Sequence, residues 1–297
     1  MIKSILPHIF GAAAQLFLVV NILFTATILF PLAFIKFIIP LKWWRFYTGK
    51  LLVKVANNWV FRNSYFFSFF YPIEWNISGL DKLKKKDWYL IISNHQSWVD
   101  ILVIQKVLYG KIPYIKFFLK QELIWVPVLG LAWWALDFPF MKRFTKAQIE
   151  KNPSLKGKDI EITRKACEKF KTDYVAVMTF PEGTRFTKEK HDSQNSPYTH
   201  LLKPKAGGLF FTTSAMGDRF NSILNITIVY PEGIKSFWEF LCGKVKKIDI
   251  TIESIPLPQK FSNADIEDKK LQTEFNSWLN DMWQRKDLLM EEKMSIL

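Results

Sequence analysis

From Ile5 to Ile35 the chain runs 31 residues with no charged side chain apart from the titratable His8. As one helix this stretch would reach about 46 Å, more than the roughly 30 Å hydrocarbon core of a bilayer. A cleaved signal peptide has a shorter apolar region, about 7 to 15 residues, so residues 1–55 are read as an N-terminal hydrophobic helical membrane anchor with its basic flank. Asn21 near the middle and Pro31 in the second half leave two forms open, a re-entrant hairpin of two short helices or one kinked span. Lys3 precedes the stretch, and Lys36, Lys42, Arg45, Lys50 and Lys54 follow it. Cations at both ends favour a hairpin with both ends cytoplasmic, and the heavier downstream flank puts the rest of the chain on the cytoplasmic side.

Residues 56–297 have a different rhythm. Trp88 to Ile92 and Tyr174 to Phe180 are apolar runs of strand length, Ile226 to Tyr230 is a β-branched run stopped by Pro231, and Ile248 to Ile252 alternates. Between and after them, helical spacing appears at Ile101 to Leu108, Lys165 to Lys171 and Ala206 to Ala215, and in the stripe Phe275, Leu279, Met282 and Trp283. That stripe suits a core or membrane face better than a reaction. Leu123 to Leu136 is uncharged but too short to cross a bilayer, which leaves a buried helix or the lining of a slot for a fatty chain. Strands interleaved with helices, without repeats or a long linker, predict one α/β domain: a central mixed sheet flanked by helices.

The chemistry is concentrated where the first strand ends. Asn94-His95-Gln96-Ser97-Trp98-Val99-Asp100 puts a histidine and an aspartate five positions apart on the turn from strand to helix, where α/β folds present reactive groups. A neutral imidazole accepts a proton near pH 7, and a carboxylate on its other nitrogen fixes the tautomer and stabilises the imidazolium that forms. The pair is a candidate general base with its orienting acid. Ser97 to Asp100 also fits a capping box, in which Asp100 would only satisfy backbone donors at the helix start.

Further clusters follow in order. Phe180-Pro181-Glu182-Gly183-Thr184-Arg185 packs an acid, a glycine and an arginine into one loop, where a guanidinium offers a planar fork to a phosphate and glycine permits close approach. Phe138-Pro139-Phe140-Met141-Lys142-Arg143 ends an apolar block with two cations.

The H-x4-D box at His95 and Asp100, the F-P-E-G-T-R box at Phe180 to Arg185 and the strand-closing Pro231 resemble, in that order, the motifs of the glycerolipid acyltransferases of the lysophosphatidic acid (1-acyl-glycerol-3-phosphate) acyltransferase type. The resemblance covers about residues 75–231. Where that family often has G-x-x-F-I-D-R, this chain has Asp137 to Arg143, keeping Phe140 and Arg143 but placing Asp137 and Lys142 at the glycine and aspartate positions. In this it is similar to the branch with bacterial inner-membrane homologues and the lysocardiolipin and lysophosphatidylinositol enzymes.

The resemblance implies transfer of an acyl group from a thioester to the sn-2 hydroxyl of a lysophospholipid at the inner membrane, with His95 as base and Asp100 holding its ring. It implies that Glu182, Gly183, Thr184 and Arg185, with Arg143, hold the glycerol phosphate. Lys120 is either a cation near the developing oxyanion or an ordinary surface cation. The alternatives are another lysophospholipid acceptor, a lipid A precursor, or a non-catalytic membrane-binding adaptor.

A formal charge of +14 fits anionic lipid headgroups, coenzyme A or an acidic acyl carrier protein, with Lys84 to Lys86 and Lys244, Lys246 and Lys247 beside membrane-seeking aromatics. Nucleic acid is disfavoured, since no zinc, helix-turn-helix or RNA-binding signature accompanies the charge. Acyl-CoA or acyl carrier protein is thus expected as co-substrate, with no tightly bound cofactor. Cys167 and Cys242 are too few for a disulfide framework, and His8, His191 and His200 lack ligand spacing, so no metal site is expected. Oligomeric state is left open.

Overall fold

In a computed structural model of the chain, residues 2–141, 151–152, 174–220 and 222–295 are described. Strand β2 (Tyr89–Ser93) is buried along its whole length, and consecutive side chains leave a strand on opposite faces. Tyr89 and Ile91 therefore enter one apolar core, and Leu90 and Ile92 another. Such a strand needs a helical layer on both sides.

The sheet that contains it is six-stranded, in the order β1 (Glu74–Ser78), β8 (Lys247–Ile255), β7 (Ser222–Val229), β2, β6 (Ala176–Thr179), β3 (Ile115–Phe117). Neighbours are parallel except β7 and β8, so the sheet is mixed. A short parallel pair, β4 (Leu119–Lys120) with β5 (Phe140–Met141), continues from β3. On one face, α3 (Val99–Leu108) packs through Val99, Val103 and Ile104 with the end of α2 (Lys42–Phe70) and with α7 (Phe237–Leu241). On the other, α6 (Ala206–Met216) and α8 (Lys269–Ser295) cover the sheet with Leu209, Phe210, Phe275, Leu279 and Trp283. The stripe in α8 is core.

The apolar N-terminal segment forms one helix, α1 (Ile2–Ile38), that contains both Pro7 and Pro31. Ile5–Ile38 is long and apolar enough to cross a membrane. A re-entrant pair of short helices within residues 5–35 is not what forms. The second arm is α2, and residue 55, the expected edge of the anchor, lies inside it. The physical reason is polar: Asn21, which looked like a breaker, receives Arg62 Nε at 2.6 Å and donates to Asn63 at 2.7 Å, while Arg62 also donates to Thr25 at 2.7 Å. Polar groups that would be costly in an apolar hairpin thus satisfy one another across it.

Both ends of α1 touch the globular part. His8 stacks on Trp238 of α7, and Ala14 is buried in the core shared with α3. At the other end Lys36 donates to Asp137 at 2.7 Å, beside α4 (Leu129–Ala135). Leu123 to Leu136 is not one helix but a 3-10 turn, Gln121–Trp125, followed by α4, the break falling where Val128 adopts φ 64°. Lys142, Arg143, Cys167 and the helix expected over Lys165 to Lys171 lie outside the described residues.

Candidate active site

Strands β2, β6 and β7 are adjacent and parallel, so their C-terminal ends meet at one edge of the sheet. There His95, the loop from Phe180 and Tyr230 leave the sheet together, the usual ligand end of such sheets. His95 Nδ1 and Asp100 Oδ2 are 2.9 Å apart, with Asp100 wholly buried. A carboxylate there holds the ring as the Nδ1–H tautomer and leaves the Nε2 lone pair as the basic position. Among the described residues no side chain hydrogen-bonds Nε2. The ring is also fixed from its flat side: Phe180 stacks on it at 3.9 Å between centroids with 14° between planes.

Asp100 makes the contacts that both readings call for. Its Oδ2 also accepts the backbone N–H of Gln96 at 2.7 Å and of Ser97 at 2.9 Å, tying the turn down, and its Oδ1 accepts the Tyr230 hydroxyl at 2.6 Å. The reciprocal half of the capping box is missing, because Ser97 Oγ donates to Lys235 O and accepts from Val99 N. Burial first, and then Asp100, push the Tyr230 phenol well above its usual range, so it remains a donor. Tyr230 was visible only as the last apolar residue before Pro231. Its partner lies 130 residues away.

The F-P-E-G-T-R loop divides between support and exposure. Glu182 is completely buried, with Oε1 accepting the His95 N–H at 2.9 Å and Oε2 the Leu202 N–H at 3.0 Å. Burial pushes its carboxyl up to about 8, against the pull of those two amides and of Lys286. Glu182 therefore faces the backbone beneath His95 and not the open cleft. Gly183 sits at φ 71°, closing a turn with its N–H on Phe180 O at 2.9 Å. Gly183→Ala should cost about 1–2 kcal/mol of stability through left-handed strain, seen as a lower Tm. An unchanged Tm would mean that the turn tolerates a side chain.

Thr184 and Arg185 are half-buried. Arg185 lies over Trp98, its guanidinium carbon 4.6 Å from the ring centroid, and Trp98 belongs to the His95–Asp100 turn. The Phe186 N–H donates to His95 O at 2.7 Å, and Lys190, in α5 (Lys188–Ser193), donates to Thr184 Oγ1 and Arg185 O at 2.9 and 3.0 Å. His95 and Arg185 thus lie against the same turn. Lys120, exposed on β4, extends past the same strand ends, since β3 runs parallel to β6 and leads into it. Asp137 stands at φ 58°, a left-handed position that suits the family's glycine and that aspartate tolerates. Its carboxylate is spent on Lys36 of α1. Among the described residues no three His, Cys, Asp or Glu side chains converge as metal ligands.

The family model described as Acyltransferase matches residues 74–235, from β1 through Tyr230 to Lys235. The chain belongs to the acyltransferase family. This acyltransferase is similar to the 1-acyl-sn-glycerol-3-phosphate acyltransferase gamma of Homo sapiens, 26% identical over 219 residues that cover 69% of the chain and 53% of the relative. It is also similar to an uncharacterized acyltransferase of Saccharomyces cerevisiae, 24% identical over 242 residues, 70% of the chain and 59% of the relative. The acyltransferase thus spans little more than half the length of the curated relatives it matches. Among solved structures it matches the crystal structure of the 1-acyl-sn-glycerophosphate acyltransferase PlsC from Thermotoga maritima, with a TM-score of 0.53 and 17% identity over 100% of this chain and 97% of that one. That likeness establishes a shared fold.

Proposed function

We propose that this acyltransferase moves a fatty acyl group from acyl-CoA or acyl carrier protein to the sn-2 hydroxyl of 1-acyl-glycerol-3-phosphate, giving phosphatidic acid. His95 Nε2 takes the hydroxyl proton as the alcohol oxygen attacks the thioester carbonyl. The tetrahedral intermediate collapses, the C–S bond breaks, and the imidazolium returns its proton to the departing thiolate. Asp100, held by Tyr230, stabilises the imidazolium in between. Transfer is direct: the hydroxyls of Ser93 and Ser97, two residues to either side of His95, are engaged with Asn94 O and Lys235 O. Arg185 and Thr184 receive the phosphate, joined by Arg143, while Lys120 serves the oxyanion. Glu182 contributes by holding the His95 amide.

The observation that carries this reading is Arg185 stacked on Trp98, within the same turn that orients His95. The setting agrees. Leu6, Leu16, Val20, Phe24, Phe34 and Phe37 on α1, and Trp43, Tyr65 and Phe69 on α2, are each more than half exposed, an apolar surface that suits lipid. Since both ends of α1 contact the catalytic domain, the hairpin keeps the domain at the bilayer face, on the cytoplasmic side by its charge flank. A different lysophospholipid, lysocardiolipin or lysophosphatidylinositol, is the second reading. It is favoured by Asp137 and its pairing with Lys36, where the family often has glycine.

Purified chain, labelled acyl donor and a panel of lysolipids distinguish the two. Phosphatidic acid as the main product supports the first, and preference for another lysolipid selects the second. Liposome binding with no acylated product on any acceptor would sink both and leave an adaptor. Arg185→Lys keeps the charge but loses the fork, so KM for the lysolipid phosphate is expected to rise about tenfold with kcat little changed. An unmoved KM would remove Arg185 from the phosphate site.

A further inference from the structure

Helix α8 lies outside the interval that the family model matches and on the far face of the sheet from α3. Even so, its residues reach the catalytic turn from behind. Lys286 is only 2% exposed, and its Nζ donates to Ile226 O at 2.5 Å and Thr227 Oγ1 at 3.1 Å on β7. The next residue of β7, Ile228, is held from both sides by the Asn94 amide, its N–H donating to Oδ1 at 2.9 Å and its carbonyl accepting from Nδ2 at 2.8 Å. Met290 Sδ stands 3.7 Å from the same Nδ2. Asn94 immediately precedes His95.

A second route starts one residue along α8. Asp287 accepts the N–H of Thr199 at 2.7 Å and of His200 at 2.8 Å, and Glu291 pairs with the His200 ring at 2.5 Å. Leu202, two residues on, donates to Glu182, whose other oxygen carries the His95 N–H. Both routes from α8 therefore end at residues 94 and 95.

The charges link them as well. Burial lowers the Lys286 ammonium to about 7, opposed by Glu182 and Glu253, and burial raises the Glu182 carboxyl, opposed in part by Lys286, so the protonation of the two buried groups is coupled.

We infer that Lys286 and Asp287 are positioning residues for acyl transfer, seating the His95 turn from behind the sheet through β7 and through the Glu182 loop. This rests on the reading of His95 as general base. The test uses the full chain with Lys286→Met, Glu182→Gln, the double variant and Asp287→Asn. Steady-state kinetics are combined with hydrogen exchange at individual amides.

Lys286→Met is expected to lower kcat about tenfold or more, as displacement of a catalytic group does, with KM for lysolipid within about threefold. Exchange at the His95 and Leu202 amides should quicken while the amides pairing β1 with β8 stay as slow as before. The double variant removes both coupled groups, so Glu182→Gln should cost less in the Lys286→Met background than alone. Asp287→Asn should quicken exchange at Leu202, a readout that stands even where Lys286→Met fails to fold. Unchanged kcat and exchange, additive losses, or a uniform quickening across the sheet would each overturn the inference. If the wild type acylates no lysophospholipid, the functional reading fails, and the exchange arm still decides whether α8 seats the turn.

Discussion

Replacing His95 by alanine is expected to lower turnover by at least about 10²- to 10⁴-fold, the usual contribution of a positioned general base. The binding side should survive, because Arg185 keeps its place over Trp98 and the backbone N–H of residue 95 still reaches Glu182. KM for the lysolipid should therefore move far less than kcat. Some stability goes with the ring, since it stacks on Phe180 and donates to Asp100, but Asp100 retains the Gln96 and Ser97 amides and Tyr230. Kinetics beside a thermal melt separate the effects. Full activity in a folded His95→Ala chain would end the general-base assignment.

Asp100→Asn should show the next largest effect, with a composite signature. Asparagine can keep its carbonyl oxygen toward His95, Gln96 and Ser97, turning its amide to the Tyr230 oxygen, so the turn survives with weaker bonds. Loss of charge-assisted bonds at a fully buried site should cost about 1–3 kcal/mol. The imidazolium, however, loses its counter-charge altogether, so kcat should fall steeply, though by no more than in His95→Ala. Both Tm and kcat should fall, kcat far more than the unfolded fraction explains. A variant that lost stability but kept its turnover per folded molecule would reduce Asp100 to a cap.

What could be read in advance depended on how far away each residue's partner lies. Trp88 to Ile92, the turn and the helix after Asp100 were legible because a buried strand and an amphipathic helix write their own periodicity. The Phe275, Leu279, Met282, Trp283 stripe, read as core or membrane face, is fully buried in the core. The hairpin was misjudged because Asn21 reads as a breaker until Arg62 and Asn63 are seen opposite it, and α2, with its lysines and asparagines, lacks a clean apolar face.

Within the site the same distinction holds. His95 and Asp100 are five residues apart and were visible as a pair. Tyr230 and Lys286 were not, since one closes a strand and the other is a lysine within a charged helix, each with partners far away in sequence. Glu182 was expected at the phosphate because the F-P-E-G-T-R box as a whole resembles the family's motif. Its burial depends on where Leu202 returns beneath the loop, which local sequence does not encode.

The most direct measurement is an experimental structure of the full chain with 1-acyl-glycerol-3-phosphate bound. The free sn-2 hydroxyl is expected within about 2.6–3.2 Å of His95 Nε2, with the phosphate against the Arg185 guanidinium. A lipid whose hydroxyl lies out of reach of that nitrogen, or whose phosphate sits away from the F-P-E-G-T-R loop, would contradict the division of labour between base and clamp.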